Sequence, residues 1–199
     1  MKFQNSSLLR IVLFFLTTIS LWAIDRAPVY DADAEILTLC GFGPQQNEKG
    51  EWYLSKGVVL EFLEIEKIYS PLDGIVIAVE SENTFPPVFF GEQQVNMIVI
   101  QFTDSTAMAI YNLKTVSRDP GELISRGQVI GLTGNRGNGE DYIIELSFIK
   151  SDAPYGELEI NTLLYPDIDN DYQPRYTMEY INPFEILNPD RLNILQERK

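Results

Sequence analysis

The feature that most limits what this chain can fold into is a rhythm of short, apolar, β-branched runs, each closed by Gly, Pro, Asn or Asp. The runs are "AEILTLC" (34–40), "GVVLEFLEI" (57–65), "GIVIAVE" (74–80), "NMIVIQF" (96–102), "TAMAIYNL" (106–113), "GQVIGLTG" (127–134), "DYIIELSFI" (141–149) and "GELEINTL" (156–163). Val, Ile and aromatic side chains fit a pleated surface, and the turn residues between the runs stop each one early. Helical periodicity is scarce, and the prolines of "NPFEILNP" (182–189) keep any turn there short. The pattern predicts an all-β fold, an antiparallel β-sandwich or barrel-like sheet with long loop insertions. Apolar residues make up 45% of the 199, enough for a core.

Side chains alternate along a strand, so "DYIIELSFIK" (141–150) places Ile144, Leu146 and Phe148 on one face and Glu145, Ser147 and Ile149 on the other. The first face belongs in a core. The second carries polar groups and is the candidate working surface.

The ends and the charge narrow the setting. Lys2 and Arg10 precede the uncharged run "IVLFFLTTISLW", and Ala23 follows at a cleavage-like position. This is the layout of a secretory signal peptide over 1–23, with an uncleaved anchor as the alternative. A formal charge of -14 opposes nucleic acid and anionic lipid alike. Cys40 is the sole cysteine, so the chain forms no internal disulfide, and a buried strand thiol is expected.

Two long connections interrupt the strands. "SENTFPPVFFGEQQ" (81–94) exceeds what a hairpin needs, and Phe85, Phe89 and Phe90 are candidates to line a groove. "YPDIDNDYQPRY" (165–176) spaces Asp167, Asp169 and Asp171 like the start of a calcium loop. Tyr172 stands where that loop requires Gly and Met178 where it requires Glu, which leaves a solvated acidic loop.

The most informative stretches are "YSPLDGIVIAVE" (69–80) and "DPGELISRGQVIGLTGNRG" (119–137), in which glycine turns feed Val/Ile strands. Gly121, Gly127, Gly131, Gly134 and Gly137 supply positive φ or close backbone approach. Together with "IYNL", "ELSF" and the tail "INPFEIL" (181–187), these pieces resemble the lysostaphin or LytM-type zinc endopeptidases of peptidoglycan, whose fold is the duplicated hybrid motif. On this resemblance 55–150 is the peptidase-like domain, preceded by an extension over 24–54. An acidic aromatic insertion over 151–180 and a closing tail over 181–199 follow it.

The resemblance implies a zinc site made by a His and an Asp four residues apart and by the second His of a His-x-His strand. The other His of that pair and one earlier His assist catalysis. In this chain the ligand positions fall on Ser55, Val59 and Ser147, and the assisting positions on Asn112 and Glu145. The whole chain contains no histidine. A catalytic zinc needs three His, Cys or carboxylate ligands and an open water position. Serine and valine do not supply them, and no imidazole is present to move protons.

The expectation is therefore a degenerate, non-catalytic member that takes no cofactor and no metal. It would be exported to the periplasm or cell envelope and would bind peptidoglycan or regulate a cell-wall hydrolase. A structural envelope protein docking through the acidic insertion, and a divergent hydrolase with a relocated site, are the alternatives. A groove filled by side chains would favour a protein-interaction role, and an open polar one ligand binding.

Overall fold

The computed structural model describes residues 26–46, 50–83, 95–135, 142–160, 175–187 and 193–194. The signal segment, the Phe85, Phe89 and Phe90 loop, Gly137 and the Asp167, Asp169 and Asp171 loop lie outside the described residues.

The described residues are almost entirely β, as the pattern predicts. The strands are β1 (Ile36–Cys40), β2 (Gly43–Gln46), β3 (Trp52–Ser55), β4 (Val58–Phe62), β5 (Lys67–Tyr69), β6 (Gly74–Asn83) and β7 (Val95–Phe102). There follow β8 (Thr106–Val116), β9 (Leu123–Ile124), β10 (Val129–Thr133), β11 (Tyr142–Ser151), β12 (Met178–Ile181) and β13 (Asn193–Ile194). Between the last two lies a 3-10 turn, Pro183–Glu185, capped by the Asn182 side chain, which accepts from the Phe184 N–H at 3.1 Å.

One large sheet runs β13-β1-β4-β11-β8-β7-β6-β9. β10 pairs with β5 and β8, and β12 pairs with the end of β11 beyond β4. All these pairings are antiparallel except β1 with β13. β2 and β3 form a separate two-stranded hairpin.

Alternation sorts the side chains to two faces. Ile144, Leu146 and Phe148 of β11 join Val58, Leu60 and Phe62 of β4 and Met108 and Ile110 of β8 in the main core. Ile68 of β5, Ile124 of β9 and Ile130 of β10 pack into the same core, as do Val29 and Tyr30 from the segment before β1. Gly121 and Gly127 take positive φ, 86° and 76°, at the turns flanking β9. A Cβ on Gly134 would lie 2.3 Å from the Asn112 carbonyl oxygen, so only glycine lets these backbones meet.

The opposite face is also covered. Val59, Met97, Val99, Ala107, Ala109, Ile143 and Ile149 form a second apolar cluster with Cys40, Ala153 and Leu158. Tyr53, Tyr111, Tyr176, Met178 and Tyr180 pack against it.

The expected strand at 156–163 is not formed: residues 156–160 are irregular, and 161–163 lie outside the described residues. Gly156 takes φ 86°, and the Glu157 N–H closes a turn onto the Pro154 carbonyl at 2.9 Å. The stretch leading into that segment, 153–156, is held by Gln101, which is buried on the sheet. Its side chain donates to the Ala153 and Pro154 carbonyls at 3.2 and 3.1 Å and accepts from the Gly156 N–H at 2.7 Å. A side chain here satisfies the backbone groups that a strand partner would otherwise take.

Candidate functional site

Directly opposed residues of neighbouring strands share a face. The registers Cys40 to Val59, Val59 to Glu145, Glu145 to Tyr111 and Tyr111 to Met97 therefore draw one row across β1, β4, β11, β8 and β7. The adjacent row is Ser147, Ala109, Val99 and Ala78. Glu145 and Ser147 thus lie on the second face, as their alternation predicts.

The turn from β3 to β4 closes over this face. Ser55 is buried and its hydroxyl donates to the Gly57 carbonyl at 2.9 Å, a local bond that shapes the turn. A Cβ on Gly57 would meet the Leu146 carbonyl oxygen at 2.4 Å and Ser147 Oγ at 2.6 Å. The turn can rest on β11 only because residue 57 has no side chain. Ser55, Val59, Glu145 and Ser147 are thereby gathered at one place.

Asn112 is turned away from them. Its backbone takes φ 65°, a left-handed conformation that Asn tolerates better than most residues. Its side-chain amide donates to the Ile143 carbonyl at 2.6 Å, with Asn135 and Gly134 carbonyls at 3.3 and 3.4 Å. Asn112 is a structural tie between β8, the end of β10 and β11.

Glu145 is the chemically unusual group. It is partly buried, and burial pushes its carboxyl up to about 7. Three tyrosines from three elements feel its charge. The Tyr53 phenol is pushed up to about 12 by burial first, then by its contact with Cys40 and the nearby Glu145 charge. Tyr111 and Tyr180 are raised by burial and by the same carboxylate, Tyr111 also by Tyr180. Cys40 is buried, as expected, with Sγ 3.3 Å from the Tyr53 hydroxyl. The Lys56 ammonium sits 5.1 Å from the centre of the Tyr180 ring.

Sequence reasoning located Glu145 and Ser147 but missed Tyr53, Tyr180 and Gln101. Tyr111 carried a signal, since it continues the Ala107, Ala109 alternation of "TAMAIYNL".

The sequence profile of Peptidase family M23 matches residues 53–155, more than half of the chain, and the chain belongs to that family. This bears out the resemblance read from the sequence.

Among solved structures, one similar chain is in the SpoIIIAH–SpoIIQ complex. It is 13% identical with a TM-score of 0.51, and the match covers 81% of this chain and 99% of that one. A zinc-containing peptidase from Vibrio cholerae is 22% identical with a TM-score of 0.47, covering 61% of this chain but only 35% of that chain. The catalytic domain of lysostaphin from Staphylococcus simulans is 15% identical with a TM-score of 0.46, covering 66% of this chain and 92% of that chain. At these identities the likeness is one of fold. A search of curated proteins finds no match.

The residues present do not fit the family's zinc. At the positions that the resemblance assigns to the ligands, Val59 is 2% exposed and offers only methyl groups, and Ser55 and Ser147 offer only neutral hydroxyls. Among the described residues, no group of three or more His, Cys, Asp or Glu is placed to hold a metal ion.

Proposed function

We propose that this chain is a catalytically inactive M23 member that is exported to the cell envelope and works by contact with another protein, regulating a cell-wall hydrolase. The reading is supported by the absence of histidine from the chain and by the residues Ser55, Val59 and Ser147 at the positions that the resemblance assigns to the ligands. One carboxylate, Glu145, cannot hold a zinc ion or lower the pKa of a bound water to about 7. A serine nucleophile has no histidine to serve as its base, because the chain contains none. Export rests on the charged, apolar and small-residue sequence of 1–23.

Tyr53, Tyr180 and Leu158 pack on the face where a substrate would lie, which favours a protein partner over peptidoglycan lying along an open groove. A member of the fold is found in a complex of two proteins, which supports the same reading. Docking through the acidic 151–180 segment is the second reading. Here Asp152 accepts from the Thr177 N–H at 2.7 Å and Glu159 pairs with Arg175, so part of its charge serves to hold its own backbone.

The test uses purified sacculi and a cell-wall amidase. Stimulation of the amidase without sedimentation on sacculi is the expected result. Sedimentation without stimulation supports direct wall binding, and failure of both refutes the envelope role. Loss of partner co-purification on deleting 161–174 would favour the second reading.

A further inference from the structure

We infer that the converted catalytic face is a binding site for an alkylammonium group, the charged end of a lysine-type side chain, built from the Glu145 carboxylate and the rings of Tyr53, Tyr111 and Tyr180. The inference rests on the reading of this face as non-catalytic and names what it takes instead.

Glu145 is a partly buried carboxylate that makes no hydrogen bond or ion pair among the described residues, and it is not fully sealed from solvent. A partly desolvated charge without a counter-ion is costly, and a cation seated beside it removes that cost. Its surroundings suit a cation and not an anion. Tyr111 lies directly opposite it on β8, and the charge of Glu145 bears on Tyr53 of the hairpin and Tyr180 of β12. All three tyrosines are partly exposed as residues, and burial weighs on each phenol.

Aromatic faces beside a carboxylate attract ammonium groups through the ring quadrupole as well as by charge. The chain already shows this chemistry at the rim, where the Lys56 ammonium lies over the Tyr180 ring at 5.1 Å. Lys56 is exposed and is a resident competitor that an incoming ammonium would displace. The net charge of -14 further concentrates cations at the surface.

The site is tested with butylammonium chloride as the probe and 1-butanol as its neutral counterpart, in amine-free buffer, reading the Glu145 13Cδ resonance of the full chain. The expected result is saturable, millimolar binding of butylammonium and none of butanol. Glu145→Gln should weaken binding at least tenfold, Tyr180→Leu several-fold, and Lys56→Ala should strengthen it several-fold. Sedimentation on sacculi that disappears when their free amines are acetylated would assign the natural group to the wall. Probe binding without sedimentation would assign it to a protein lysine, and either outcome upholds the site. Equal binding of butanol, or affinity unchanged in both Glu145→Gln and Tyr180→Leu, overturns it. A catalytic zinc, the outcome that would sink the non-catalytic reading, shows separately as bound metal.

Discussion

Replacing Glu145 by Gln should stabilise this protein, and by an amount that depends on pH. In the folded chain burial lifts the carboxyl from 4.5 to about 7. Below 4.5 it is protonated in both the folded and the unfolded chain and costs nothing. Between 4.5 and about 7 the unfolded chain releases the proton and the folded chain keeps it, so stability falls as pH rises. Above that window the penalty is complete, at about 3 kcal/mol, taking about 1.4 kcal/mol for each pH unit. Glutamine imitates the neutral acid at every pH. Urea unfolding of the two proteins should therefore give nearly equal stabilities at pH 4.5 and a gap of about 3 kcal/mol at pH 8. In thermal unfolding that gap is roughly 6–12 °C at pH 8. Other shifted groups, such as Glu66, which burial and the charges of Asp31, Asp33 and Glu64 raise, are common to both proteins and cancel in the difference. A gap that does not grow with pH, or a Gln variant less stable at pH 8, would refute the argument.

Other substitutions probe the frame around this carboxylate. Gly57→Ala drives a Cβ into the Leu146 carbonyl and Ser147 Oγ, and should cost about 2–3 kcal/mol in a urea titration. Gln101→Leu strips the 153–156 segment of its side-chain partners, and should cost about 1–3 kcal/mol and speed hydrogen exchange at the Gly156 amide. Asn112→Ala loses the bond to Ile143 and strains a left-handed backbone, for about 2–3 kcal/mol, whereas Asn112→Gly should lose less because it keeps that backbone at ease.

The central sheet was readable because its cause is local. Alternation in "DYIIELSFIK" placed Ile144, Leu146 and Phe148 in the core and Glu145 and Ser147 on the far face without knowledge of any partner. Glycines announced the turns around β9 and the close approach at Gly134 for the same reason. The surroundings of Glu145 were not readable. Tyr53 comes from a hairpin that precedes β4, and Tyr180 from a strand that pairs with the far end of β11. Which side chains such pieces bring together is decided by long-range packing. The 156–163 segment misled for a related reason. Its β-branched residues fit a strand, but its first residue, Gly156, turns at positive φ and gives its N–H to the buried amide of Gln101, far away in sequence. Asn112 occupied the aligned position of an assisting residue, yet its left-handed backbone turned the amide to structural carbonyls.

The account turns on the proposal that Ser55, Val59 and Ser147 hold no catalytic metal. The most direct measurement is the release of new amino termini from purified peptidoglycan by the protein with added zinc, alongside the metal retained after dialysis. The account predicts no release above the protein-free control and well under one zinc per chain. Stoichiometric zinc together with zinc-dependent release of amino termini would contradict it.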